Sequence, residues 1–314
     1  GGRPLGFQMT IKNKPIARTL SVLTYNTHLF KGSGAAHVSS RKLVEHDDER
    51  ADMLLKKLSD PATGGADIVF LQEVWGLDMR EDFGRKLGSI YPYVYIVPDI
   101  GFTGAFKGIR NEFTGTSGLI VASRYQLLAP VFQMYHDTPG DDQWAKKGIV
   151  SFFIVVPYSR TKYATISIGN THAPCDIPTA QRCIAQAAAQ TFGNREHDVI
   201  LGGDFNLHFK VKGEYADLQK TMNQYKALDI VSKFLPSLDD CYTDWPGTNK
   251  LSQVFDGGGP NPDNKDRIDY IYFAAGKKYS HLIPKSAKVF HDWKLSDGLD
   301  VSDHYPVRGE FLIH

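Results

Sequence analysis

Apolar residues recur along this chain in two patterns: short, nearly continuous runs, and longer stretches in which they return every three to four positions. The first pattern predicts strands at 19–26, 67–73, 92–98, 117–123, 148–157, 164–172, 198–204, 267–273 and 307–313. These runs are rich in Val, Ile, Leu, Tyr and Phe, and several are apolar at successive positions, as strands covered on both faces are. The second pattern predicts a helix at 47–58, where Ala51, Leu54, Leu55 and Leu58 share one face behind acidic residues suited to a helix N-terminus. Another begins near Pro178 and carries Ala180, Cys183, Ile184 and Ala187 on one side. A third, around 214–228, presents Tyr215, Leu218 and Met222.

Strands alternating with helices predict an α/β or α+β sandwich. No repeat or low-complexity linker divides the chain, so residues 19–314 read as one domain behind an N-terminal extension, 1–18. The run at 256–264 is a strong loop signal, and 31–46, 99–116 and 276–300 are expected to be long loops that shape a binding site.

Composition narrows the class. At 314 residues and 42% hydrophobic, the chain can build a sizeable core, yet no apolar run approaches the roughly 18 residues of a spanning helix. Lys+Arg 36 against Asp+Glu 35 provides no broad positive field, so a nucleic-acid partner is not expected. The N-terminus shows no signal-peptide pattern, so any secretion signal has been removed or never existed. Cys175, Cys183 and Cys241 are too few for a disulfide framework and wrongly spaced for zinc; one disulfide with a free thiol stays open.

The chemistry sits where the apolar runs stop. Asn26, Glu73, His172 and Asp204 with Asn206 close four strands, and Asp303 and His304 precede the last one. Strand ends are where open α/β sheets commonly place ligands. Any one of these residues is readily explained as a turn or cap, but their recurrence is not. Glu73 offers the hard oxygen that Mg²⁺ prefers, and Asn26 can add its amide oxygen. In the segment Gly202-Gly203-Asp204-Phe205-Asn206, a carboxylate that can orient water or metal precedes an amide that can donate to a phosphoryl oxygen. His304 is the candidate general base, its ordinary pKa near neutrality suiting proton abstraction. Asp269, a charge in an apolar run, needs a partner: either His304, which it would orient, or Arg267 on the same strand. Asp266 is the alternative carboxylate for His304. His172 is a second candidate proton or hydrogen-bond donor. No catalytic role is assigned to His28, His37, His46, His197, His208 or His291.

In order, the motifs YNTHLF, LQEVW, GNTHAPCD, GGDFNLH, DRIDYIYF and VSDHYPV resemble those of the endonuclease/exonuclease/phosphatase superfamily, from about residue 20 to the C-terminus. That superfamily includes pancreatic deoxyribonuclease, apurinic endonucleases, inositol polyphosphate 5-phosphatases and neutral sphingomyelinases. The resemblance implies a four-layer α/β sandwich, two face-to-face sheets flanked by helices. It implies Mg²⁺, replaceable by Mn²⁺ or Co²⁺, at Glu73 with Asn26 nearby and Asp303 close to the metal region. It also implies phosphate contacts from His172 and Asn206, Asp204 beside the nucleophilic water, and a His304–Asp269 pair.

Within the superfamily the chain most resembles the bacterial type of neutral sphingomyelinase, through Lys147 in KKGIV and Trp245 in YTDWPGTN. This resemblance implies hydrolysis of sphingomyelin or a related phospholipid in a bilayer by a secreted monomer in peripheral contact with the membrane. Phe102, Phe106 and Phe113 in one loop, and Ile283, Phe290 and Trp293 in another, are then candidates for insertion at headgroup level, with Lys107, Arg110 and Lys285 adding attraction to anionic lipid. A nuclease or an inositol phosphate phosphatase on the same scaffold is the alternative. An inactive relative that only binds membranes or protein is a third reading.

Overall fold

Successive residues of the central strands face different layers. The computed structural model describes residues 16–33, 46–98, 116–136, 138–139, 145–193, 195–255 and 264–314. In it Val22, Ile68, Phe70, Val121, Ile166, Ile168, Ile200 and Ile271 pack together between two sheets. Their neighbours Leu23, Val69, Leu71 and Ala122 point the other way, onto Ala51, Leu54, Leu58, Phe83 and Leu87 of covering helices. On the second sheet Val199, Leu201, Tyr270 and Tyr272 meet Ala180, Cys183, Ile184, Leu218 and Met222. The continuous apolar runs therefore reflect burial on both faces, and the result is the four-layer sandwich expected.

The first sheet consists of β1 (Thr19–Leu29), β2 (Ile68–Val74), β3 (Tyr93–Ile96), β4 (Ile120–Ser123), β11 (Leu282–Val289) and β12 (Val307–Ile313), in the order β11-β12-β1-β2-β4-β3. The second consists of β5 (Leu128–Met134), β6 (Gly148–Pro157), β7 (Tyr163–His172), β8 (Asp198–Asp204), β9 (Leu228–Asp229) and β10 (Asp269–Ala274), in the order β5-β6-β7-β8-β10-β9. Helices α1 (Asp47–Ser59) and α2 (Leu77–Leu87) cover the first sheet; α3 (Ile177–Phe192) and α4 (Lys212–Asn223) cover the second. Three shorter helices follow: α5 (Ile230–Phe234), α6 (Leu238–Cys241) and α7 (Lys250–Phe255). None of the helices among the described residues is long and apolar enough to cross a membrane.

Pairing direction gathers the chemistry at one rim. Strands β1 and β2 are parallel, as are β7 and β8, so their C-terminal ends coincide in pairs. Strands β12 and β10 run antiparallel to β1 and β8, so their N-terminal ends reach the same rim. The Asn26 amide then donates to Asp204 at 2.9 Å, joining the two sheets there. Below it, Gln72 donates to Asn170 and Thr24, while Asn170 donates to the Leu71 and Ile120 carbonyls.

The expected loop at 276–300 is corrected: 282–289 is edge strand β11, whose exposed, polar-interrupted sequence hides it from an apolar-run criterion. The third helix ends at Asn223, earlier than 228. Phe102, Phe106, Phe113, Lys107, Arg110 and His37 lie outside the described residues. Cys175, Cys183 and Cys241 are all free thiols.

Arg267 is fully buried and forks onto Asp229 at 2.6 and 3.2 Å, with its guanidinium 4.4 Å from the Phe209 ring and 4.5 Å from Tyr270. Asp229 also caps α5 by accepting from the Val231 and Ser232 amides. Removing one partner leaves the other charge buried alone, so Asp229→Ala should lower unfolding stability by about 3–5 kcal/mol in a urea titration. A loss under about 1 kcal/mol, the ordinary worth of an exposed pair, would refute this account.

Candidate active site

Register alone aligns three ionisable side chains across the second sheet. His172 pairs with Asp204 between β7 and β8, and Asp204 pairs with Asp269 between β8 and β10. All three are buried, at 0–1% exposure. Two carboxylates facing each other without water cannot both keep their charge cheaply. His304 resolves this: its Nδ1 lies 2.8 Å from Asp269 Oδ2, and its Nε2 lies 3.9 Å from Asp204 Oδ2. Of the two partners the sequence left open for Asp269, the structure takes His304, since Arg267 is committed to Asp229. Asp266 instead holds His208 at 3.0 Å.

Close packing forms the turn that carries Asp204. Gly203 has φ +150°, and a Cβ there would lie 1.9 Å from the Thr171 carbonyl oxygen, so only glycine fits. Beyond it, Asn206 turns back at φ +50°, its amide N–H donating to Asp204 Oδ1 and its side chain to the Ala173 carbonyl. Lys147, 4% exposed, reaches the same carbonyl at 3.3 Å.

On the first sheet the strands lose regularity as they arrive. The β1–β2 register shifts between Asn26 and Leu29, and Glu73 and His28 take positive φ, +59° and +48°. Residues held in that region concentrate at functional sites because the surrounding structure must sustain their cost. Here the restraint is visible. Asn26 Oδ1 accepts the His28 amide; Arg50, fully buried on α1, donates to the Thr27, His28 and Val301 carbonyls; and Arg50 pairs with Asp47, which accepts the Phe30 and Lys31 amides. The clip fixes both the end of β1 and the segment leading to Asp303.

It also brings in a residue that the sequence reading had left without a role. His28 Nδ1 lies 3.0 Å from Asp303 and 3.5 Å from Glu73. The available signal was its position two residues after Asn26, at the end of an apolar run. His172 Nε2 stands 3.6 Å from Glu73 and 3.5 Å from Asp204, and neither of its ring nitrogens makes a hydrogen bond among the described residues. Ser302 ties the two sides by donating to the Asn26 carbonyl and to Asp303.

The candidate membrane and substrate contacts fare differently. Trp293 is corrected: it is 1% exposed, packed edge-on to Tyr25 with its indole N–H donated to the Thr63 carbonyl, so it is a core residue. Phe290 packs beside it and is buried too. Ile283 is exposed, but on an edge strand. Trp245 follows Asp244, whose backbone pairs with that of His304, and its ring packs against the Lys265 ammonium at 4.1 Å and Tyr242.

Charge balance sets the proton positions. Burial, reinforced by Asp269, pushes Asp204 up to about 7 against the pull of His304. Burial opposes a charge on His304, but Asp269, Asp303 and Asp204 together outweigh it and raise its pKa well above the ordinary histidine value. Burial, with Lys147 and His304 nearby, holds His172 well below that value, hence neutral. Burial would raise Asp303, yet His28 and His304 hold it below the usual carboxylate range.

Whether this rim suits a divalent cation is decided by its donors. Ligand atoms of Glu73, His172 and Asp204 lie within 4.8 Å of one another, with the His28–Asp303 pair bordering Glu73. Carboxylates at or near full burial converging with a neutral imidazole on one rim fit a bound dication.

The chain belongs to the Endonuclease/Exonuclease/phosphatase family, whose model matches residues 23–304. Over 88 residues, 28% of this chain, it is 36% identical to Sphingomyelin phosphodiesterase 5 of Mus musculus; the match spans 17% of that relative's length. Sphingomyelinase C from Streptomyces griseocarneus shares the fold at TM-score 0.63 and 18% identity, over 94% of this chain and 99% of that one. So does D. rerio TDP2 complexed with single-strand DNA product, at 0.64 and 16%, with the same coverage. A Staphylococcus aureus beta toxin variant with bound magnesium ions matches at 0.63 and 17%, over 92% and 98%.

In the metal-free protein, an NMR titration should find the His304 imidazole protonated well above pH 6.5. Asp269→Asn, which removes the carboxylate on Nδ1, should move that midpoint down. An unmoved midpoint would show that Asp269 does not set the charge of His304.

Proposed function

We propose that this chain is a divalent-metal-dependent phosphodiesterase that cleaves sphingomyelin to ceramide and phosphocholine at a bilayer surface. The observation that carries the reaction type is the His304–Asp269 pair facing Asp204 across 3.9 Å, at the rim where Glu73 and His172 converge. The matched segment of the mouse sphingomyelin phosphodiesterase supports the lipid substrate. The near-neutral chain, +1 at pH 7, also suits a zwitterionic headgroup better than a polyanion.

His304 acts as general base. Asp269 fixes its Nδ1, leaving Nε2 free to take a proton from water oriented by Asp204. As the water oxygen bonds to phosphorus, the phosphorus–oxygen bond to the ceramide alkoxide breaks and that oxygen takes a proton from solvent, while His304 returns its own to bulk water. The Asn206 amide serves the phosphoryl oxygens without adding negative charge, and neutral His172, 3.6 Å from Glu73, would turn its Nε2 to the cation. Glu73, with Asn26 and Asp303, would hold the cation, which supplies Lewis-acid polarisation of the phosphoryl group and offsets charge on the leaving oxygen. Lys147 adds positive charge behind His172. Because His304 must be unprotonated to act, the rate should fall as the pH drops and the imidazole is protonated. In this reading the enzyme is secreted and contacts the membrane peripherally. The likeness to D. rerio TDP2 supports nucleic-acid cleavage as the second reading.

The test is phosphocholine release from sphingomyelin liposomes with Mg²⁺, compared with EDTA and with His304→Ala, alongside nicking of supercoiled DNA. The expected result is release that EDTA abolishes and that falls roughly 10²–10⁴-fold in the variant. Intact liposomes with nicked DNA would transfer the same chemistry to a nucleic-acid substrate.

A further inference from the structure

We infer that His28 is a metal-ligating residue and that it tilts this centre from Mg²⁺ toward transition-metal dications. The inference rests on the metal-dependent reading above and concerns only which ion the site selects.

Mg²⁺ demands a near-octahedral shell of oxygens and dehydrates reluctantly. Imidazole nitrogen suits Mn²⁺, Co²⁺ and Zn²⁺ better, and binding strength to mixed nitrogen and oxygen sites rises along that part of the first-row series. Around Glu73 this chain supplies two imidazoles, not one. His172 Nε2 is 3.6 Å from Oε1 and His28 Nδ1 is 3.5 Å from Oε2, so each carboxylate oxygen of Glu73 has a ring nitrogen beside it. His28 is 8% exposed and its nitrogen also lies 3.0 Å from Asp303.

The backbone shows that this placement is constrained. His28 sits at φ +48°, a conformation costly for an L residue; its amide N–H donates to the Asn26 side-chain Oδ1 and its carbonyl accepts from the buried Arg50 guanidinium. Two hydrogen-bonding groups, one of them a fully buried arginine, thus fix the His28 backbone in the conformation that puts its ring between two carboxylates. The alternative is that His28 simply donates a hydrogen bond to Asp303, and it predicts a different outcome.

Binding, not turnover, separates the two. Full-length protein with histidine labelled in ¹⁵N, loaded with Mn²⁺ alone, should show electron–nuclear coupling to two imidazole nitrogens. His28→Asn and His172→Asn should each retain one. Asn readily adopts positive φ, so the first variant keeps the local turn. Calorimetric titration with Co²⁺ and Mg²⁺ separately should show Co²⁺ affinity falling roughly 10–100-fold in His28→Asn, with Mg²⁺ affinity falling much less. One coupled nitrogen in the wild-type protein, or an unchanged Co²⁺ to Mg²⁺ ratio in the variant, overturns the inference. Either result leaves the phosphodiesterase reading intact, because that reading is decided by whether phosphocholine is released and whether EDTA abolishes the release.

Discussion

Two carboxylates placed opposite each other in a buried sheet govern this molecule. Asp204 and Asp269 are register partners on β8 and β10, each about 1% exposed, and their repulsion must be answered locally. The His304 ring answers it, drawn from the segment just before β12 of the other sheet. That bond makes the two sheets depend on one another at the rim, since β12 must be paired with β1 before His304 can reach Asp269. The Asn26–Asp204 hydrogen bond and the Ser302 contacts then close the seam from the first sheet. What holds the fold together at this edge is thus the same set of charges that would handle a proton.

The central strands were legible because they are buried on both faces. Continuous apolar runs at 67–73, 148–157 and 198–204 carry more signal than alternation does, and their observed limits lie within a residue of the predicted ones. The edges were not legible. Strand β5 carries Pro130 and is largely solvent-facing, β9 is two residues long, and β11 alternates buried with exposed polar positions. Helix α2 was missed because its interior holds Gly84 and a dense mixture of Asp, Glu, Arg and Lys. A Cβ at Gly84 would meet the tip of the Ile96 side chain at 2.5 Å.

Site residues were legible for a different reason. Asn26, Glu73, His172, Asp204 and His304 all interrupt or end apolar runs, so each stands out against its neighbours. Asp269 stood out as an intruding charge, but only the register could choose between His304 and Arg267 as its partner. His28 escaped because it sits past the apparent end of β1, in a stretch whose continuation to Leu29 depends on tertiary contacts from Arg50 and Asp47. Trp293 failed in the opposite direction. An aromatic in an apparent loop looks available, whereas the Gly64 backbone leaves a slot in which its ring is buried.

The rim divides into two electrostatic neighbourhoods that share Asp204 and His172. On one side Asp269 keeps His304 readily protonated; on the other His28 stands between Glu73 and Asp303. A cation bound by Glu73 would withdraw negative charge from the shared carboxylate, and with it part of what favours the His304 imidazolium. The base would then become more available at neutral pH when the metal-binding side is filled. Nothing need move for this coupling to operate, because Asp204 lies 3.5 Å from His172 and 3.9 Å from His304. In the proposed mechanism, filling the metal side would therefore leave His304 in the working protonation state, while Asp269 holds the ring firmly without leaving it permanently charged.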